Sequence, residues 1–277
     1  MTDKILITGA NGQLGTELKN RLPNAIYTDI NVLDITDLKA VQDFVKNNKI
    51  DIIVNCAAYT AVDKAEEENE IAQNINEYGA YNLALTGAKI IHISTDYVFN
   101  GKNYKPYLTT DETQPISVYG ITKRNGELAV LNNAKIAIVI RTAWLYSSYG
   151  NNFVKTMSRL GAEKDSLNVV SDQIGTPTFA GDLADAIVSI IPQLNENNKG
   201  IYHYTNEGVC SWYDFATEIM KILNLKCIVN PIPSSAYPTK AKRPFYSVLD
   251  KTKIKETFNI KIPYWKDSLI KCLNGDK

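Results

Sequence analysis

The sequence predicts an α/β fold, a doubly wound parallel sheet followed by a smaller C-terminal lobe. Three observations carry this expectation. Short Ile- and Val-rich runs alternate with longer amphipathic segments through the first half of the chain. The runs are nearly continuous in apolar residues, as strands covered on both faces are. The first run leads directly into Gly9-Ala10-Asn11-Gly12-Gln13-Leu14-Gly15 and then into a helical pattern.

Strand-like runs fall at residues 4–8, 25–28, 51–56, 89–94 and 136–141, with helical patterns at 13–22, 37–47, 70–85 and 118–131. Strand, helix, strand, helix implies right-handed crossovers and one parallel sheet. Beyond residue 141 glycine, asparagine and proline become frequent. Helices are predicted at 181–193 and 212–223, and residues 230–244, with four prolines, read as a surface loop. The division predicted is a dinucleotide-binding domain of residues 1–145, joined by about 178–203, with the remainder of 146–277 as a substrate lobe.

Composition narrows the function classes. A chain of 277 residues can bury a core without covalent staples. Thirty basic and thirty acidic residues leave no net charge to attract nucleic acid or an anionic membrane, so neither is an expected partner. The four cysteines form no C-x-x-C pair and the two histidines lie in strand-like runs, so buried thiols are expected and no metal site. Met1-Thr2-Asp3-Lys4 enters a strand with no leader, and no apolar run approaches the ~20 residues of a membrane span. A cytoplasmic protein is the expectation.

The glycine turn has the G-x-x-G-x-x-G form in the strand–turn–helix context that binds a dinucleotide. Gly9 permits the tight turn, Gly12 lets a pyrophosphate approach the backbone, and Gly15 lets helix and strand pack closely. The helix N-terminus then offers free N–H groups to phosphate. Asp29 closes the second strand where a carboxylate binds the adenosine ribose. No Lys or Arg follows through Thr36 to balance a 2′-phosphate, so of NADH and NADPH the first is mildly favoured. Asp34 either reaches the adenine edge or serves as a turn and capping residue before Asp37.

The fourth strand ends in Ser94-Thr95-Asp96-Tyr97-Val98-Phe99, where ligands bind in such sheets. Downstream, Tyr119 and Lys123 share a helix face at spacing i, i+4. The set suits carbonyl reduction: a hydride adds to carbon and Tyr119 protonates the oxygen. An ammonium nearby favours the phenolate and lowers the phenol's ordinary value of ~10. Thr95 can hold the substrate oxygen against Tyr119.

These residues resemble the extended short-chain dehydrogenase/reductase family over essentially the whole chain. The resemblance rests on Gly9 to Gly15, Asn55-Cys56-Ala57-Ala58-Tyr59-Thr60-Ala61-Val62-Asp63-Lys64-Ala65-Glu66, Ser94 to Gly101, Tyr119 to Lys123, Arg141-Thr142-Ala143-Trp144-Leu145-Tyr146, Gly150-Asn151-Asn152-Phe153, Asp172-Gln173-Ile174-Gly175-Thr176-Pro177-Thr178 and Arg243-Pro244. It implies reduction of the C4 ketone of a dTDP-linked 4-keto-6-deoxy sugar by NADH or NADPH. Tyr119, Lys123 and Thr95 are then the catalytic residues. Gly9, Asn11, Gly12, Gln13, Leu14, Gly15, Asp29, Asp34, Ile35, Ala57, Ala58, Tyr59, Thr60, Ile93, Tyr119 and Lys123 are the implied cofactor contacts. Thr95, Asp96, Tyr97, Val98, Trp144 and Arg243 are the implied substrate contacts, Arg243 through bidentate bonds to the diphosphate. Two features depart from the pattern: Ala143 stands where serine is common, and the stretch from Asn76 to Lys89 is about one helical turn short. A homodimer stays open on this resemblance. Two other readings share the residues, a nucleotide-sugar epimerase or dehydratase, and a non-catalytic regulatory subunit of the kind that partners methionine adenosyltransferase.

Overall fold

The structure, a computed structural model, describes residues 3–275; Met1 and Thr2 of the N-terminal reading lie outside it. In chain order the first half gives β1 (Ile5–Thr8), α1 (Gln13–Arg21), β2 (Ile26–Thr28), α2 (Leu38–Asn48), β3 (Ile52–Asn55), α3 (Val62–Ala65), α4 (Asn69–Gln73), α5 (Gly79–Ala84), β4 (Lys89–Thr95), α6 (Val118–Asn133) and β5 (Ala137–Thr142). Side chains fix several helix starts. Asp37 accepts from the Ala40 amide at 3.0 Å and Ser117 from the Gly120 amide at 3.2 Å, satisfying first-turn N–H groups.

The helix expected at 70–85 carries a π-helical turn, Asn74–Tyr78, between α4 and α5. Its cause is inward. Asn76 is buried, accepts from the Tyr59 amide at 2.8 Å and donates to Thr122 at 3.1 Å. Gly126 of α6 lies so close to the Asn76 carbonyl that a Cβ would stand 2.1 Å from it. A π turn beside a cleft is a common way to aim such a side chain.

The second half contains β6 (Leu145–Tyr146), α7 (Phe153–Glu163), β7 (Ser166–Val170), β8 (Ile174–Gly175), β9 (Thr178–Phe179), α8 (Ala180–Ile190) and β10 (Gly200–His203). It ends with β11 (Cys210–Ser211), α9 (Trp212–Ile222), β12 (Ile228–Ile232), α10 (Thr252–Phe258) and α11 (Trp265–Asn274). β10 returns to pair with β5, completing a six-stranded sheet of order β10-β5-β4-β3-β1-β2 with every pairing parallel. The proline-rich segment is not wholly loop: residues 228–232 form a strand parallel to β7. Pro231 sits in it because a two-stranded pair leaves each strand an open edge, where a missing N–H is tolerated.

Apolar layers cover both sheet faces. Ile7, Ile52, Val54, Ile91 and Ile138 pack with Leu14 and Leu18 of α1 and Leu183 and Ile187 of α8. On the other face Leu6, Ile53, Ile90 and Val139 pack with Val41, Leu83 and Val130 from α2, α5 and α6. A third cluster, around Phe215, Tyr146, Val154 and Trp265, forms beside α7, α9 and α11. Among the described residues no helix is long and apolar enough to cross a membrane.

Candidate active site

The chain runs from β1 to β2 on one side and to β3 on the other, so a crevice opens between β1 and β3 at their C-terminal ends. A cleft of about 650 Å³ lies there, floored by Thr8, Cys56, Thr95 and Thr142. Beneath it Asn55 ties three elements together. It accepts from Thr8 at 2.7 Å and from the Ala57 amide at 3.1 Å, and meets His92 Nδ1 at 3.0 Å.

Gly9 has φ +63°, and a Cβ on it would lie 2.6 Å from the Ala57 amide nitrogen. A Cβ on Gly15 would lie 2.4 Å from the Gly9 carbonyl. Only glycine fits either position. Gly12 precedes α1 and caps it with no side chain. The first-turn amides therefore face the cleft with their partial positive charge, a cradle that suits a pyrophosphate. Asp29 is held in place by the Asn11 amide at 3.0 Å and the Ile30 amide at 2.9 Å. Asp34 lines the cleft and also closes a turn, accepting from the Thr36 amide at 2.9 Å and hydroxyl at 2.7 Å. The residues present thus fit a dinucleotide.

At the other end α6 brings Tyr119 and Lys123 to the cleft, beside Thr95 at the end of β4. Lys123 is 2% exposed and donates to the Ile93 carbonyl at 2.6 Å. Burial lowers its ammonium to about 8, against an upward pull from Glu127 and Cys56. Burial pushes the Tyr119 phenol up to about 12; the neighbouring Thr95 hydroxyl pulls it down and Asp96 adds to the rise. The expected lowering of Tyr119 by Lys123 is therefore not what the protein alone produces. The ammonium is engaged with the Ile93 carbonyl, and desolvation of the phenolate dominates. The Tyr119 ring meets Tyr97 edge-on at 5.5 Å. Asp96 is buried beside them, its carboxyl raised to about 6 mainly by desolvation.

Trp144 also lines the cleft. Its backbone is left-handed, φ +48°, which costs a non-glycine residue about 1–3 kcal/mol. Its indole stacks on Trp212 at 3.6 Å, and Gly175 lies close enough that a Cβ would reach 2.8 Å from the ring. These contacts hold it in place.

Four expected contacts lie off the cleft lining. The Asn11 backbone is spent on Asp29. The Tyr59 hydroxyl turns away to Glu68. Val98 is fully buried with Phe99, Tyr107 and Leu249. Arg243 is clamped on Asp63 by bonds of 2.8 and 3.1 Å, in a separate hollow with Tyr237 and Lys240. The structure adds to the cleft lining Ile75 of the π turn, and also Cys56, Thr142, Leu145, Asn151 and Asn152, which belong to the sequence motifs without an expected role in the site. Asn152 caps α7 and donates to the Gln13 side chain at 2.9 Å, joining the second half of the chain to the glycine turn. An asparagine immediately before an amphipathic helix was the available signal. Among the described residues no cluster of three or more His, Cys, Asp or Glu is placed to hold a metal.

Fold and site together define a Rossmann-type α/β protein with a dinucleotide cleft and a Thr-Tyr-Lys wall suited to carbonyl chemistry. The RmlD substrate binding domain family matches residues 3–277, and the chain belongs to that family. It is 43% identical to the spore coat polysaccharide biosynthesis protein SpsK of Bacillus subtilis, over 96% of this chain and 95% of that one. Two solved structures are close along their full length. The dTDP-4-dehydrorhamnose reductase of Clostridium acetobutylicum has a TM-score of 0.94 and 45% identity, covering 98% of each chain. That of Bacillus anthracis, in complex with NADP, has a TM-score of 0.95 and 40% identity, covering 99% of each.

Proposed function

We propose that this chain reduces the C4 ketone of dTDP-6-deoxy-L-lyxo-4-hexulose to give dTDP-L-rhamnose, the reaction for which its relatives dTDP-4-dehydrorhamnose reductase are named. The observation that carries the reading is the placement of Thr95, Tyr119 and Lys123 on one wall of the glycine-turn cleft.

When bound, NADH or NADPH supplies the hydride. Gly9, Gly12, Gln13, Leu14 and Gly15 would hold its pyrophosphate, Asp29 its adenosine ribose, and Ala57, Ala58, Thr60 and Ile93 would face the rest of it. The Asp29 carboxylate mildly favours NADH, although a relative is seen with NADP. Asp96, Tyr97 and Trp144 receive the nucleotide sugar. Tyr119 delivers its proton to the C4 oxygen as negative charge develops there. A phenol held up at about 12 stays protonated across the neutral range, which is the form a reductase needs. Thr95 holds the same oxygen against the phenol, and the Lys123 charge stabilises the phenolate left behind. Arg243 reaches a diphosphate only by releasing Asp63.

In this reading residues 1–145 with about 178–203 bind the dinucleotide and the rest of 146–277 binds the sugar. The protein works in the cytoplasm, and a homodimer is its proposed assembly. The test is oxidation of NADH and NADPH in the presence of the ketosugar, with the product identified by NMR. Formation of dTDP-L-rhamnose supports the reading. Release of a C4 epimer or of an unreduced sugar would replace it.

A further inference from the structure

Tyr119, Lys123 and Glu127 follow one another at intervals of four along α6 and so share a face. The first two line the cleft, and the third lies one turn below, 1% exposed. Glu127 is fully engaged. Arg141 of β5, 2% exposed, donates to it from Nε at 2.8 Å and from Nη2 at 2.7 Å. Ser94 of β4 donates to it at 2.5 Å. Ser94 pairs with Arg141 in the sheet and stands between Ile93, whose carbonyl takes the Lys123 ammonium, and Thr95. One carboxylate therefore joins α6 to the ends of β4 and β5 directly under the proposed catalytic wall.

A buried ion pair contributes little to stability compared with well-packed apolar residues. Its placement has another consequence. The groups that interact with the Lys123 charge are Glu127 one turn along its own helix, Cys56 after β3, and His92 on β4. Of these Glu127 is the anionic group, and Arg141 and Ser94 prevent it from swinging away. We infer that Glu127 is the positioning residue for Lys123: its carboxylate, locked by Arg141 and Ser94, keeps the buried ammonium charged and aimed at the Ile93 carbonyl and the cleft. The effect on turnover rests on the reductase reading; the effect on Lys123 does not.

The test starts with the ligand-free protein. Lysines are labelled with 13C at Cε and titrated by NMR, and the Lys123 resonance is identified by its loss in Lys123→Met. In the unmodified chain the expected midpoint is about 8. In Glu127→Gln, which keeps the shape and removes the charge, its midpoint falls by about one pH unit or more. An unchanged midpoint overturns the inference. If Glu127→Gln does not fold, Glu127→Asp, which keeps the charge and draws it back by one methylene, serves instead: a lower Lys123 midpoint is expected and an unchanged one overturns the inference. The alkaline limb of kcat then moves to lower pH with the Lys123 midpoint. A midpoint that moves while kcat keeps its profile would leave Glu127 in place and remove Lys123 from the reaction. Absence of any cofactor oxidation by the unmodified chain would overturn the reductase reading alone.

Discussion

Replacing Asp96 by Asn is expected to stabilise the protein at neutral pH while harming turnover. Asp96 is 2% exposed, and Thr95 donates to one of its carboxylate oxygens at 3.0 Å. Desolvation, only partly offset by hydrogen bonds from Ser247, Thr95 and the backbone N–H groups of Asp96 and Tyr97, raises the carboxyl from 3.8 to about 6. For an acid raised in the folded state, stability is full below the unfolded value and declines as pH climbs to the folded one. The window is therefore from 3.8 to about 6. Across it the carboxylate costs about 3 kcal/mol that an amide does not. For 277 residues the unfolding entropy is roughly 0.6 kcal/mol/K, so the gain is about 5 °C in Tm. Thermal unfolding of both proteins at ~pH 4 and ~pH 7.5 reads it, with the difference moving in favour of the variant as pH rises. A Tm difference that is the same at both pH values would refute the burial argument. Activity should fall in the same variant, since a strained charge in a site trades stability for function.

Three further outcomes follow from the geometry. Gly9→Ala forces a side chain into a left-handed backbone and against the Ala57 amide, so NADH binding by calorimetry should weaken roughly tenfold or more; unchanged affinity would remove the glycine turn from the cofactor site. Arg141→Leu strands a buried carboxylate and should cost about 3–5 kcal/mol in urea unfolding, with Glu127→Leu added to it recovering most of the loss; a cost under ~1 kcal/mol would show the site to be hydrated. Asp63→Ala breaks a pair whose side chains are 41% and 25% exposed, so stability should change by less than ~1 kcal/mol. It also frees Arg243, and a raised KM for the nucleotide sugar in that variant would argue against a diphosphate role for the arginine.

The sheet was legible because its strands are buried on both faces and read as continuous Ile and Val runs, which leave little room for another assignment. Observed ends differ by a residue or so, as at β4, which runs to Thr95. The cradle was legible because a glycine at φ +63° cannot be replaced. What escaped was set by partners distant in sequence. The π turn depends on Asn76 meeting Thr122 and on Gly126. Tyr59 and Arg243 left the cleft for Glu68 and Asp63, carboxylates that nothing in local spacing singles out. Pro231 argued for loop, yet β7 offered a pairing edge. The phenol of Tyr119 was expected lower than burial leaves it, because sequence spacing places a lysine nearby without showing that its ammonium is taken by Ile93.

The most direct test of the central claim is the rate of NADH or NADPH oxidation with the ketosugar in Tyr119→Phe beside the unmodified chain. The account expects the variant to bind cofactor with unchanged affinity and to lose at least ~100-fold in kcat, because a general acid contributes about that much or more. Turnover in Tyr119→Phe within a few-fold of the unmodified chain would contradict it.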